Sequence, residues 1–295
     1  MAERSLFYYR ELVRDHILLA KPGIICLVLL TTFIGMYTGK RGLPDPAVIL
    51  FALAGVGLAA GGAAILNNLF DRTIDSLMER TRKRPLPSGR IYPGHALLSG
   101  LSCLAASFWV LVFLANPLTA FLTFLSTFIY IIPYTILMKR RTPLATTVGS
   151  ISGALPPVIG YAAVRAEINL EALLPFLIMY LWQYPHFWSL ALKYKEDYQR
   201  AGIPVFPVRV GVKRAKVGIV FSLLLLLSVS LLPYFAGLAG GLYLVTALFL
   251  GIVYITGGLR FFLSKRETDE FLFIYSIVYL GILFIIFSLD LVGHE

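Results

Sequence analysis

Asn67, Asp71 and Asp75 recur at intervals of four residues, so on a helix each is rotated only about 40° from the last and all three look out from one stripe. They follow twenty uncharged residues, 47–66, and open a segment, NNLFDRTIDSLMERTRKRPLPSGRI, that holds two aspartates, a glutamate and six arginines or lysines. Carboxylates at the end of an apolar span are costly and face a protein interior or a water-filled cavity. Two carboxylates and an amide oxygen on one face suit a hard cation such as Mg²⁺, which takes oxygen ligands and keeps room for substrate phosphates. Just downstream, Arg80, Arg82, Lys83, Arg84 and Arg90 surround the turn RPLPSGR. Guanidinium forks match phosphate oxygens, so the two groups together read as a cradle for a diphosphate.

A second polar stretch, WQYPHFWSLALKYKEDYQRAGIPVFPV, occupies residues 182–208. Taken as one helix, it places His186, Lys193 and Asp197 on a shared face with Trp182 nearby, because their spacings of seven and four are close to whole turns.

The elements that must position these groups are membrane helices. The chain has 295 residues, 58% hydrophobic and 14% charged, with a mean hydropathy of +0.79, well above that of a soluble domain. A spanning helix needs about 20 mostly apolar residues. Nine runs qualify: 23–39, 47–69, 94–115, 117–138, 144–163, 172–192, 217–236, 241–262 and 271–290. The expected fold is therefore an all-α integral membrane protein of about nine transmembrane helices around a central cavity opening at the cytoplasmic side. Nothing separates domains, so residues 1–295 read as one membrane domain, with 1–22 an interfacial amphipathic segment rather than a cleaved signal. With the N-terminus cytoplasmic, 23 lysines and arginines fall on that side and three, Lys40, Arg41 and Arg165, on the other. The net charge of +10 follows from this topology, and with no soluble basic domain nucleic acid is excluded as a partner. Cys26 and Cys103 sit inside spans without metal-ligand spacing. Pro156 and Pro157 predict a kink in the fifth span, and Pro133, Pro175 and Pro185 in theirs.

The pattern N-x-x-x-D-x-x-x-D at the end of the second of nine helices resembles the UbiA-type intramembrane prenyltransferases. That resemblance implies that Asn67, Asp71 and Asp75 bind an isoprenoid diphosphate through Mg²⁺, with Arg84, Lys139 and Arg140 as diphosphate contacts. Relatives carry another aspartate pair after the sixth helix; here only Lys193, Glu196, Asp197 and Tyr198 stand in that loop. The departure, together with LAKPGIICLVLLTTFIGM at 19–36, resembles the branch that farnesylates haem. It implies farnesyl diphosphate and haem B as substrates, with haem B not a cofactor, and a hydroxylated farnesyl haem and diphosphate as products. It further implies Asp71, Asp75, Lys193 and Asp197 as catalytic residues, Asp197 joining the metal ligands and Lys193 acting as a direct cation to the diphosphate. His186, with Trp182, is the expected haem contact. The implied setting is the plasma membrane of a prokaryote, C-terminus external, with hand-over to haem A synthase or terminal oxidase assembly.

Three other readings compete. A quinone or chlorophyll prenyltransferase is disfavoured by the missing second aspartate pair. An ion-coupled transporter should carry its acids near the midplane, whereas Asp71, Asp75 and Asp197 map to the cytoplasmic edge. A haem-binding scaffold without catalysis leaves the diphosphate cradle unexplained.

Overall fold

The protein is described by a computed structural model covering residues 2–292, with side chains from residue 10 onward. An N-terminal helix, α1 (Ala2–Ala20), is followed by α2 (Pro22–Lys40), α3 (Pro46–Asp75), α4 (Pro93–Leu114) and α5 (Pro117–Ile129), which continues as a π-helix over Tyr130–Met138. Then come α6 (Ala145–Ala154), α7 (Pro156–Arg165), α8 (Leu170–Lys193), α9 (Lys195–Arg200), α10 (Phe206–Val210), α11 (Val212–Phe235), α12 (Gly241–Leu263) and α13 (Glu270–Leu289). Among the described residues eight spans are long and apolar enough to cross a membrane, counting α5 with its π-helix and α6 with α7 as one span each. The one expected run not among these eight, 172–192, becomes α8, 24 residues long and more polar through Gln183, His186 and Ser189.

Proline punctuates the starts. Pro22, Pro46, Pro93, Pro117 and Pro156 sit in the first turn of their helices, where a missing N–H costs nothing and the fixed φ is already helical. Asp45, Asn116, Asn169 and Asp269 then accept the otherwise orphaned amides. The proline pair ends α6 and starts α7 at Leu155, so the predicted kink is a break. Pro133 removes a backbone donor inside its span, and the chain there winds as a π-helix, with Thr135 Oγ1 donating to the Tyr130 carbonyl at 2.7 Å.

Small residues set the closest approach. A Cβ on Gly160 would lie 1.8 Å from the Thr32 carbonyl oxygen, and one on Gly35 would lie 1.9 Å from that of Pro157. Helices α2 and α7 therefore touch backbone to backbone, a contact that dispersion can hold in lipid where the hydrophobic effect does not act. The largest core joins α8, α11, α12 and α13 around Tyr243, Tyr254, Tyr279 and Phe287. Each tyrosine hydroxyl is satisfied, by the Ser230 carbonyl, the Leu272 carbonyl and Ser230 Oγ respectively. Lys216, 6% exposed, donates to the Phe261 and Ser264 carbonyls and so caps the end of α12. Outward faces are apolar, as at Leu50, Phe113, Phe121, Phe249 and Ile274, which suits a lipid surround.

Helix α1 leaves Val13, Ile17 and Leu18 exposed while Asp15 and Leu19 are buried. Its inner face is anchored by Arg90, which bonds both Asp15 oxygens at 2.8 and 3.3 Å. The charges at Glu3 and Arg4 and the C-terminal residue lie outside the described side chains.

Candidate active site

Helix α3 runs unbroken to Asp75, so Asn67, Asp71 and Asp75 share the predicted stripe and are all buried. Three cations close on them from three other parts of the chain. Lys139, which directly follows the π-helix, bonds Oδ2 of Asp71. Arg84, in the turn after α3, donates to Oδ2 of Asp75 at 2.8 Å and to Oδ1 of Asn68 at 3.4 Å. Lys21, between α1 and α2, donates to Oδ1 of Asn67 at 2.7 Å. Asn67 passes this on, its Nδ2 donating to Asp71 Oδ2 at 2.9 Å and to Thr135 Oγ1 at 3.0 Å.

Lys21 reaches inward because its backbone turns at φ 56°, ψ 66°, a left-handed conformation rare for lysine and placed directly before proline. Burial, and then Arg84 and Lys139, pull its ammonium down to about 7, with Asp71 and Asp75 partly offsetting. Burial also works against the Lys139 ammonium, but Tyr134 and the Asp71 carboxylate it bonds outweigh that and hold it above the usual lysine value. Tyr130 and Tyr134 stack at 5.6 Å beside it, the Lys139 ammonium standing 5.8 Å from the Tyr134 ring.

One atom in this network stands alone. Asp71 Oδ1 is buried and has no hydrogen-bond partner. A buried acceptor left without a partner costs about 1–3 kcal/mol, unless a ligand completes it. An oxygen donor beside a second carboxylate and two amides fits Mg²⁺. Among the described residues no three His, Cys, Asp or Glu side chains converge into a metal-binding group, so the remaining positions would fall to Asn67, substrate and water.

The second loop is arranged differently from its reading as one helix. The helix breaks at Tyr194, φ −109°, ψ 28°, which ends α8 at Lys193 and starts α9 at Lys195. The break tips α9 onto the first loop, where the Arg80 guanidinium lies 4.7 Å from the Tyr194 ring. Lys193 is partly exposed and pairs with Glu270 at 2.6 Å; it is not brought to the acids. Asp197 is buried, but its two oxygens accept the backbone amides of Glu79 and Arg80. Arg140 donates to the Phe70 carbonyl, beside the site rather than in it.

His186 stacks between Trp182 at 4.5 Å and Phe273 at 4.9 Å. Its Nδ1 is 2.7 Å from Ser276 Oγ. That hydroxyl gives its proton to the Phe273 carbonyl at 2.5 Å, so it accepts from Nδ1–H and leaves Nε2 with its lone pair. Trp182 is 5% exposed and donates to the Ser276 carbonyl at 2.7 Å, so it backs the imidazole instead of standing free. Lys21, Asn68 and Ser276 are the residues that sequence reasoning missed. Only the basic residue directly before the proline of the first span offered a signal.

A comparison with family models matches residues 28–285 to the UbiA prenyltransferase family. Among curated proteins, protoheme IX farnesyltransferase of Aquifex aeolicus is 44% identical over 283 residues, 96% of this chain and 97% of that protein. The Marinobacter nauticus protein of the same name is 42% identical, covering 94% and 92%. Among solved structures, a digeranylgeranylglyceryl phosphate synthase shares the fold with a TM-score of 0.78 at 19% identity, covering 95% of this chain and 98% of the other. A UbiA homologue from Archaeoglobus fulgidus bound to DMAPP and Mg²⁺ does so at 0.65 and 17%, covering 93% and 99%. With a family match across most of its length and relatives of this identity over nearly all of it, the chain belongs to the UbiA prenyltransferase family, among the protoheme IX farnesyltransferases.

Proposed function

We infer that this membrane protein transfers the farnesyl group of farnesyl diphosphate to a vinyl group of haem B, with hydroxyl addition, giving haem O and diphosphate. The observation that carries the reading is the convergence of Lys21 on Asn67, Lys139 on Asp71 and Arg84 on Asp75, in a chain whose relatives are protoheme IX farnesyltransferases.

Asp71, Asp75 and Asn67 are the residues that would hold Mg²⁺, which supplies positive charge to the diphosphate oxygens. The three cations are already aimed at that place, so charge growing on the departing diphosphate meets fixed partners in a site sheltered from water. The Tyr130 and Tyr134 rings beside them offer faces to an allylic cation. The vinyl group is itself the nucleophile, so no nucleophilic side chain is needed. His186 offers Nε2 to the haem iron, held in that tautomer by Ser276.

Purified protein given haem B, farnesyl diphosphate and Mg²⁺ should yield haem O by mass analysis of the porphyrin. A protein that prenylates a phenolic acid and never haem B refutes the reading. The setting in this reading is a prokaryotic plasma membrane with the N-terminus and the site cytoplasmic, which the 23-to-3 charge split supports. Reporter fusions at residues 85 and 205 should then both read cytoplasmic, and an external reading at 85 overturns the orientation.

A further inference from the structure

We propose that Asp197 is a positioning residue that clasps the two cytoplasmic loops together and thereby sets Arg84 on Asp75. This rests on the reading of the acid stripe as a prenyl diphosphate site.

Both oxygens of Asp197 are committed. Oδ1 accepts the Glu79 amide at 3.1 Å and Oδ2 the Arg80 amide at 3.3 Å. A carboxylate receiving two successive backbone amides is a strong, directional clamp on the local chain. Its surroundings reinforce it. Arg200 reaches Asp197 at 3.4 Å and Glu79 at 3.5 Å, and Ile74, Met78 and Ile203 form one buried cluster with Tyr198 and Val205. The clamped turn leads directly into the site. Thr81 Oγ1 donates to the Asp75 carbonyl at 2.9 Å, the Arg84 amide donates to the Thr81 carbonyl at 2.9 Å, and the Arg84 guanidinium then reaches Asp75 at 2.8 Å. Asp197 thus acts on the diphosphate site through the turn 79–84, each of its oxygens holding a backbone amide of that turn.

The test compares the wild type with Asp197→Asn. An amide has one acceptor where the carboxylate has two, so it can keep only one of the backbone bonds. Trypsin cleavage after Arg80, Arg82 and Lys83 in the folded protein, without Mg²⁺ or substrate, should quicken by about tenfold in the variant, the equivalent of one charge-assisted hydrogen bond. KM for farnesyl diphosphate should rise by about tenfold while KM for haem B stays within about twofold, a split that a general loss of stability would not produce. Arg200→Gln, which leaves both backbone bonds in place, should show a smaller change in the same direction, about threefold in cleavage, and serves if Asp197→Asn fails to fold. Wild-type loop protection that appears only when Mg²⁺ is added, or cleavage unchanged in both variants, overturns the clasp. Failure of the wild type to farnesylate haem B would refute the function while leaving the cleavage result to judge the clasp by itself.

Discussion

Lys139 holds Oδ2 of Asp71 and leaves Oδ1 of the same carboxylate buried and unpartnered. The residue is thereby divided between two tasks, one oxygen neutralised by a fixed cation and the other presented to a ligand. Asp75 is paired on one side as well, through Arg84. The protein carries its compensating charges in place before substrate arrives, and this is the preorganisation that stabilisation of a leaving diphosphate requires.

Asp71→Asn should lower turnover by about 10²–10³-fold, the range for removing one preorganised electrostatic partner, while the protein stays folded in membranes. The amide has two placements. With NH₂ toward Lys139 it sets donor against donor, and with NH₂ on the open side it has no lone pair for Mg²⁺. Turnover with haem B and farnesyl diphosphate checks this, and wild-type activity would remove Asp71 from the site.

Much of this site was legible because a helix repeats at a fixed period. Asn67, Asp71 and Asp75 declare a stripe by spacing alone, and Pro156 and Pro157 declare an interruption, expected as a kink and found as a break. The remainder depended on tertiary meetings that no local pattern encodes. Lys21 looks like any basic residue flanking a span, and only its left-handed turn sends it inward. Lys193 is two turns from His186 by counting, yet its partner is Glu270, 77 residues away. Asp197 shares a periodicity with His186 only if the helix continues, and it breaks at Tyr194.

Lys193→Ala should leave turnover and the KM for farnesyl diphosphate within about twofold, since an exposed pair with Glu270 contributes little. The sequence alone favoured a direct contact with diphosphate. A loss of a hundredfold would restore that role and would require Lys193 to leave Glu270 during turnover.

Gly160→Ala should destabilise the fold by about 3 kcal/mol or more, the upper range for overpacking, because its Cβ would meet the Thr32 carbonyl oxygen at 1.8 Å and backbone there has nowhere to go. Gly57→Ala is the control, since its Cβ meets only the Leu29 side chain at 3.5 Å. Thermal midpoints in detergent should separate the two. An unchanged midpoint for Gly160→Ala would mean that α2 and α7 can part without cost.

The haem contact is tested through a pair of residues, because His186 alone has a structural use in its stack between Trp182 and Phe273. If imidazole binds iron through Nε2, His186→Ala should abolish the change in the haem absorption spectrum on binding. Ser276→Ala keeps the imidazole but removes the acceptor that fixes the proton on Nδ1. The ring can then populate the tautomer with Nε2–H, and haem affinity should fall by about 10–100-fold, the usual cost of losing the hydrogen bond behind a metal-bound histidine. The bound spectrum of Ser276→Ala should keep the wild-type form at saturation, since the ligand atom is unchanged. A purely structural histidine predicts the opposite pattern, lowered thermal stability in both variants with haem spectra and haem affinity untouched.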